Sequence, residues 1–173
     1  MKISKILRSV LTAVLTLVAT TASALVFEVD NIRYVTNGDG TVTVAGNSFF
    51  SSVLEIPESV TYSRKTYSVT SIGDRAFASC NTLTSVTMGN SVTSIGESAF
   101  ADCSGLTIVS IPNSVTSIGD RAFASCNSLT SVTIGNSVTS IGENAFTYCN
   151  SLTSVTIPNS VTSIGKSAFQ GCI

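Results

Sequence analysis

Histidine and tryptophan are absent from the 173 residues, and only 11% of them are charged. Without histidine there is no imidazole general acid–base catalysis, no Ser-His-Asp triad, no Cys-His dyad and no His-ligated metal. A charged share this low is less than half the usual one. Serine (29) and threonine (23) fill the gap. The apolar share is 43%, which excludes a polar disordered chain. Long apolar runs are also missing. The longest, Val10 to Ala19, is interrupted by Thr12 and Thr16 and is too short to span a bilayer.

That run sits behind a basic head of Lys2, Lys5 and Arg8 and ahead of Ala22-Ser23-Ala24, a small-residue cleavage pattern. Residues 1–24 therefore read as a secretory signal peptide, cut after Ala24. No cysteine follows the cut, so a lipid anchor is not indicated. The mature chain would carry 6 Lys+Arg against 10 Asp+Glu, a net charge of −4. This charge argues against capture of nucleic acid or of an anionic membrane surface.

The remainder is periodic. Ile-Gly recurs at Ile72, Ile95, Ile118, Ile141 and Ile164, always 23 residues apart. Phe77, Phe100, Phe123, Phe146 and Phe169 follow in register, as do Cys80, Cys103, Cys126, Cys149 and Cys172. Residues 106–128 and 129–151 agree at 16 of 23 positions. Such a period marks one coil of a solenoid, which buries its apolar side only by stacking on its neighbours. Val109-Ser110-Ile111 alternates in and out as a short strand, and Val115 to Ile118 forms a second extended piece. Pro112-Asn113-Ser114 is the corner between them. Gly119 to Phe123 is expected to form a short helical turn. Stacking would set identical side chains about 4.8 Å apart, in columns of Phe, Leu and Cys. A longer period also shows. Residues 70–81 and 116–127 are both TSIGDRAFASCN, and the corner alternates Gly89, Pro112, Gly135, Pro158. The repeating unit is thus 46 residues, two coils.

The string SVTSIGDRAFASCNSLTSVTI resembles the BspA-like (Treponema-type, surface-antigen) leucine-rich repeat, over about residues 69–173. Phe27 to Asp30, Ile56-Pro57 and Lys65 to Ile72 resemble the N-terminal region of such proteins. The resemblance implies a mainly β repeat solenoid, a right-handed coil stack with short helical turns. It implies secreted or surface-exposed bacterial proteins that act in adhesion and protein binding, and it carries no catalytic residue. About 4.5 coils are present. The sequence stops at Gly171-Cys172-Ile173, inside a repeat and without a C-terminal cap. Such an end exposes Leu152, Val155, Ile157, Val161, Ile164 and Phe169, and self-association through it is expected.

Residues 25–68 have a different pattern and read as an N-terminal β cap. Val26 to Val35 is strand-like, Asn37-Gly38-Asp39-Gly40 is a hairpin turn, and Thr41 to Val44 returns. Tyr62 to Tyr67 reads as a second hairpin tip. The five in-register cysteines read as a buried thiol column, with disulfides and a metal site as alternatives. The candidate binding face is the outward side of the repeat strands: Ser85, Thr87, Ile108, Ser110, Ser131, Thr133, Ser154 and Thr156. Its plain alternative is a solvated surface. Ile108 stands where the other repeats carry Ser, and Tyr148 where Ser79 and Ser125 stand in earlier coils. No paired carboxylate or nucleophile–base pair is visible, so neither an enzyme nor a cofactor is expected. Extracellular proteins are the expected partners. A structural spacer or a fragment of a longer surface protein is the alternative; binding of a regular lattice by Ser-x-Thr rows is a third reading, which Ile108 interrupts.

Overall fold

The computed structural model describes residues 24–47 and 52–173. The expected leader lies outside these residues apart from Ala24. In chain order the strands are β1 (Val26–Val29), β2 (Ile32–Thr36), β3 (Thr41–Asn47), β4 (Val53–Ile56), β5 (Ser59–Tyr62) and β6 (Lys65–Ile72). The repeats supply β7 (Ser85–Met88), β8 (Ser94–Ile95), β9 (Ile108–Ser110), β10 (Ser117–Ile118), β11 (Ser131–Thr133), β12 (Ser140–Ile141) and β13 (Ser163–Ile164). Each coil but the last gives one strand to each of two sheets; the last gives only β13, to the longer one. The longer sheet runs β1-β2-β3-β6-β8-β10-β12-β13, with β5 also on β6; the shorter runs β4-β7-β9-β11. Ile72, Ile95, Ile118, Ile141 and Ile164 are successive parallel partners, so the 23-residue period is the strand register itself.

Columns fill the space between the sheets. Phe77, Phe100, Phe123, Phe146 and Phe169 stack with centroids 5.3, 5.2, 5.2 and 5.3 Å apart, and the two central pairs lie within 5° of parallel. The spacing exceeds the strand separation because offset rings avoid a face-to-face sandwich. Leu83, Leu106, Leu129 and Leu152 are buried alongside. The Ile-Gly pairs follow from backbone proximity. A Cβ on Gly119 would sit 2.7 Å from the Gly96 carbonyl carbon, inside contact distance.

The expected helical turn is not a helix. In the coil of Phe123, Ala122, Ala124 and Cys126 donate N–H to carbonyls three residues back. Between them, Arg121, Phe123 and Ser125 donate instead to Glu143, Ala145 and Thr147 of the next coil, at 2.8–2.9 Å. An α-helix would need all of these N–H groups for itself. The chain satisfies the alternation by placing Arg121 (φ 55°) and Ser125 (φ 58°) in the left-handed region. The equivalent positions of other coils, Arg75, Ser98, Asn144 and Tyr148 among them, do the same.

The threonines are also structural. Thr93, Thr116, Thr139 and Thr162 each donate both N–H and Oγ1–H to the carbonyl of the threonine one coil earlier, at 2.8–3.2 Å. Thr107 and Thr130 do so on a second line. These exposed hydroxyls run along the backbone of the neighbouring coil and strengthen the stack.

Ahead of the repeats, Val26 to Val35 is two strands, not one. Asp30 (φ 51°) and Asn31 (φ 64°) make a tight turn, and β1 pairs antiparallel with β2. Asp and Asn tolerate these angles, which fit a two-residue hairpin. The β2–β3 hairpin turns at Asn37 to Gly40, and the β5–β6 hairpin at Ser63-Arg64, as the sequence indicates. Phe27 stacks on Tyr62 at 4.4 Å and packs with Tyr34 and Tyr67, forming an aromatic cluster at this end.

Candidate binding face

The shorter sheet positions the candidate residues. Strand alternation buries Leu54, Val86, Val109 and Val132 and turns their neighbours outward. Parallel register then aligns the outward residues in rows. One row is Val53, Ser85, Ile108, Ser131; in the other, Glu55 faces Thr87 and Ser110 faces Thr133. Thr87, Ile108, Ser110, Ser131 and Thr133 are exposed, and Ser85 is half-buried.

Two expected members lie elsewhere. Ser154 and Thr156 are exposed but belong to no strand, because the shorter sheet ends at β11 while the longer continues to β13. The last coil stays attached through its second extended piece and its turns, for example Thr162 N–H to the Thr139 carbonyl at 2.9 Å. Of the six residues expected to be bare at that end, Leu152 is buried, Val155, Ile157, Val161 and Phe169 are half-buried, and Ile164 is exposed.

Val53 was not among the sequence candidates. It is 49% exposed, against 57% for Ile108, and shares its row. The signal was present: Val53-Leu54-Glu55-Ile56-Pro57 matches the pattern of Ile108-Val109-Ser110-Ile111-Pro112. The face therefore presents two apolar side chains, two coils apart, among hydroxyls. At the corner beside it lies a shallow groove of about 480 Å³. Thr87, Ser110 and Thr133 form one wall and Asn90, Asn113 and Asn136 the other. Asn113 Oδ1 accepts the Asn136 N–H at 2.8 Å, which fixes one of these amides.

The cysteines lie away from this face. Cys80, Cys103, Cys126 and Cys149 are buried, Cys172 is half-buried, and all are free thiols. Cys103, Cys126, Cys149 and Cys172 donate Sγ–H to the carbonyls of Phe77, Phe100, Phe123 and Phe146 at 3.1–3.3 Å. Burial pushes the Cys103 and Cys149 thiols up to about 12 and raises Cys126 as well. A protonated, buried thiol is a poor nucleophile and metal ligand, so this is a packing column. Among the described residues, no group of three or more His, Cys, Asp or Glu side chains is placed to hold a metal ion.

Hydroxyls, amides and isolated apolar side chains on a rigid sheet can make non-covalent contacts. Residues 46–173 match six copies of the BspA type leucine rich repeat region. The chain belongs to the BspA-type leucine-rich repeat family. Among solved structures, the T. pallidum leucine-rich repeat protein TpLRR superimposes with a TM-score of 0.78 at 28% identity, over 84% of this chain and 67% of that one. A leucine-rich repeat protein from Bacteroides ovatus gives 0.77 at 42% identity, over 83% of this chain and 38% of that one. The pneumococcal vaccine antigen PcpA shares the fold, with a TM-score of 0.62 at 19% identity, over 86% of this chain and 48% of that one. No curated protein matches the sequence. The matched residues hold β4 to β13 and all five cysteines, while β1, β2 and most of β3 precede them. No helix among the described residues is long and apolar enough to cross a membrane.

Proposed function

We propose that this BspA-type repeat protein is secreted or held at the cell surface and binds other proteins through the exposed face of the shorter sheet. The observation that carries this reading is the aligned row Val53, Ser85, Ile108, Ser131. It sets two exposed apolar side chains on a rigid sheet among small hydroxyl residues. Apolar anchors within a polar surround are the usual pattern of a contact site. Extracellular proteins are the partner class, since residues 1–24 have the three parts of a secretory leader. Adhesion follows if several copies act together, because linked weak contacts multiply into avidity.

The test uses the mature chain as a monomer and as a linked tetramer, against a panel of purified extracellular proteins. Tetramer binding to a panel member that Ile108→Glu weakens by about ten-fold or more, with an unchanged melting temperature, supports the reading. Equal binding by Ile108→Glu, or no binding by the tetramer, returns the chain to a structural spacer. That second reading draws on the sameness of the Ser85/Thr87 and Ser131/Thr133 pairs along the face. N-terminal sequencing of the exported protein should begin at Leu25.

A further inference from the structure

The face ends, on its N-terminal side, at a second and larger groove of about 1010 Å³. Thr87, Met88 and Asn90 line both grooves, so the two are continuous. Its floor is apolar, with buried Ile32, Tyr34, Leu54 and Ile56. Among the described residues, its charged lining consists of Asp30, Glu55 and Glu58, with no Lys or Arg. Arg33, between Ile32 and Tyr34, is turned away; its guanidinium lies beside Gly46.

One wall of this groove is a sheet edge. β4 closes the shorter sheet, and β7 is its one strand partner among the described residues. In a parallel ladder a residue directs its N–H and C=O to the same side, and its neighbour directs them to the other. Ile56 gives its carbonyl to the Gly89 N–H at 2.8 Å, on the β7 side. Glu55 therefore turns both its backbone groups toward the groove. Pro57, with no N–H to offer, ends the usable edge.

We infer that this groove takes an extended, cationic peptide segment, added as a strand beside β4. Backbone pairing at Glu55 supplies registration, the buried floor takes alternate apolar side chains, and the carboxylates of Asp30, Glu55 and Glu58 meet Lys or Arg side chains between them. Charge selects the occupant. Three carboxylates in a lining whose described residues include no Lys or Arg repel an acidic segment and favour a basic one. The groove meets the Ile108 row only at Val53, and Ile108 itself does not line it, so this binding does not depend on the face reading above.

Fluorescence anisotropy with labelled eight-residue peptides tests it on the mature chain. The peptides alternate Lys-Val, Ser-Val or Glu-Val; a fourth is Lys-Val with every second amide N-methylated. Lys-Val should bind about ten-fold or more tightly than Ser-Val, and weaken with added salt. The double variant Glu55→Gln/Glu58→Gln should lose that preference at an unchanged melting temperature. Ile108→Glu should leave it intact. Equal binding of Lys-Val and Ser-Val, no binding at all, or an undiminished preference in the double variant overturns the cationic occupant. Full binding of the N-methylated peptide overturns strand addition.

Discussion

At the scale of single residues, the columns decide stability. Phe123 is fully buried between Phe100 and Phe146, with no open side into which a cavity can collapse. Phe123→Ala should cost about 3–5 kcal/mol in denaturant unfolding, whereas Ser131→Ala on the exposed face should cost well under about 1 kcal/mol. The thiols make a second prediction. Cys103, Cys126 and Cys149 have raised pKa values in the folded chain, because burial disfavours the thiolate. Above the free-thiol pKa of about 8.5 the unfolded chain loses these protons first and the folded chain keeps them. The stability they contribute is whole below that pH and is lost as pH climbs toward 12. Each thiol adds a slope of up to about 1.4 kcal/mol per pH unit in that window. Urea midpoints measured from pH 8 to 11 should fall accordingly; a flat profile would place the thiols in water.

At the scale of the element, the turn side of each coil is the unusual part. Non-glycine residues in the left-handed region cost roughly 1–2 kcal/mol each, and the N–H bonds to the next coil hold them there. Ser125 is one such residue, with its N–H on Thr147 at 2.8 Å. Ser125→Gly removes the steric cost, and glycine's entropy loss returns about 0.5–1 kcal/mol of it. The variant should be neutral or more stable by up to about 1 kcal/mol. Ser125→Val, β-branched at the same angles, should be clearly destabilising. A glycine already stands at the equivalent position of the last coil, Gly171 (φ 78°).

At the scale of the whole molecule, the two sheets do not end together. The shorter stops at β11 and the longer at β13, so the final coil is held through its second extended piece and its turns but not through its first. Amide exchange should therefore be faster at Val155 and Ile157 than at Val132 and Ile134 of the preceding coil, while Gly165, bonded to the Ile141 carbonyl at 2.8 Å, stays protected. Equal protection of both segments would mean that the shorter sheet extends one strand further. At the other end, β1 to β3 extend the longer sheet past the first coil, and the Phe27 cluster packs there. We propose that β1 to β3 cap the stack at this end, ahead of β4, which already pairs as a repeat strand with β7.

The sequence by itself determined whatever repeats. The 23-residue register, the Phe, Leu and Cys columns, the buried face of each strand and the outward position of Ile108 all follow from one fact: identical coils gain most by placing identical side chains over one another. Hairpins at Asn37 to Gly40 and at Ser63-Arg64 were legible because their residues suit the angles required. What the tertiary structure alone decided was where backbone groups find partners. Gly119 to Phe123 carries the composition of a helical turn, yet the N–H groups of Arg121 and Phe123 bond to the next coil, and no local pattern announces that choice. Val26 to Val35 hid a turn at Asp30-Asn31 because both its halves are apolar and strand-forming. The loss of Ser154 and Thr156 from the shorter sheet, and the groove between the Asp30 turn and β4, depend on pairings between segments distant along the chain. Periodicity is a property of neighbours in sequence; edges, ends and grooves exist only once the coils have stacked.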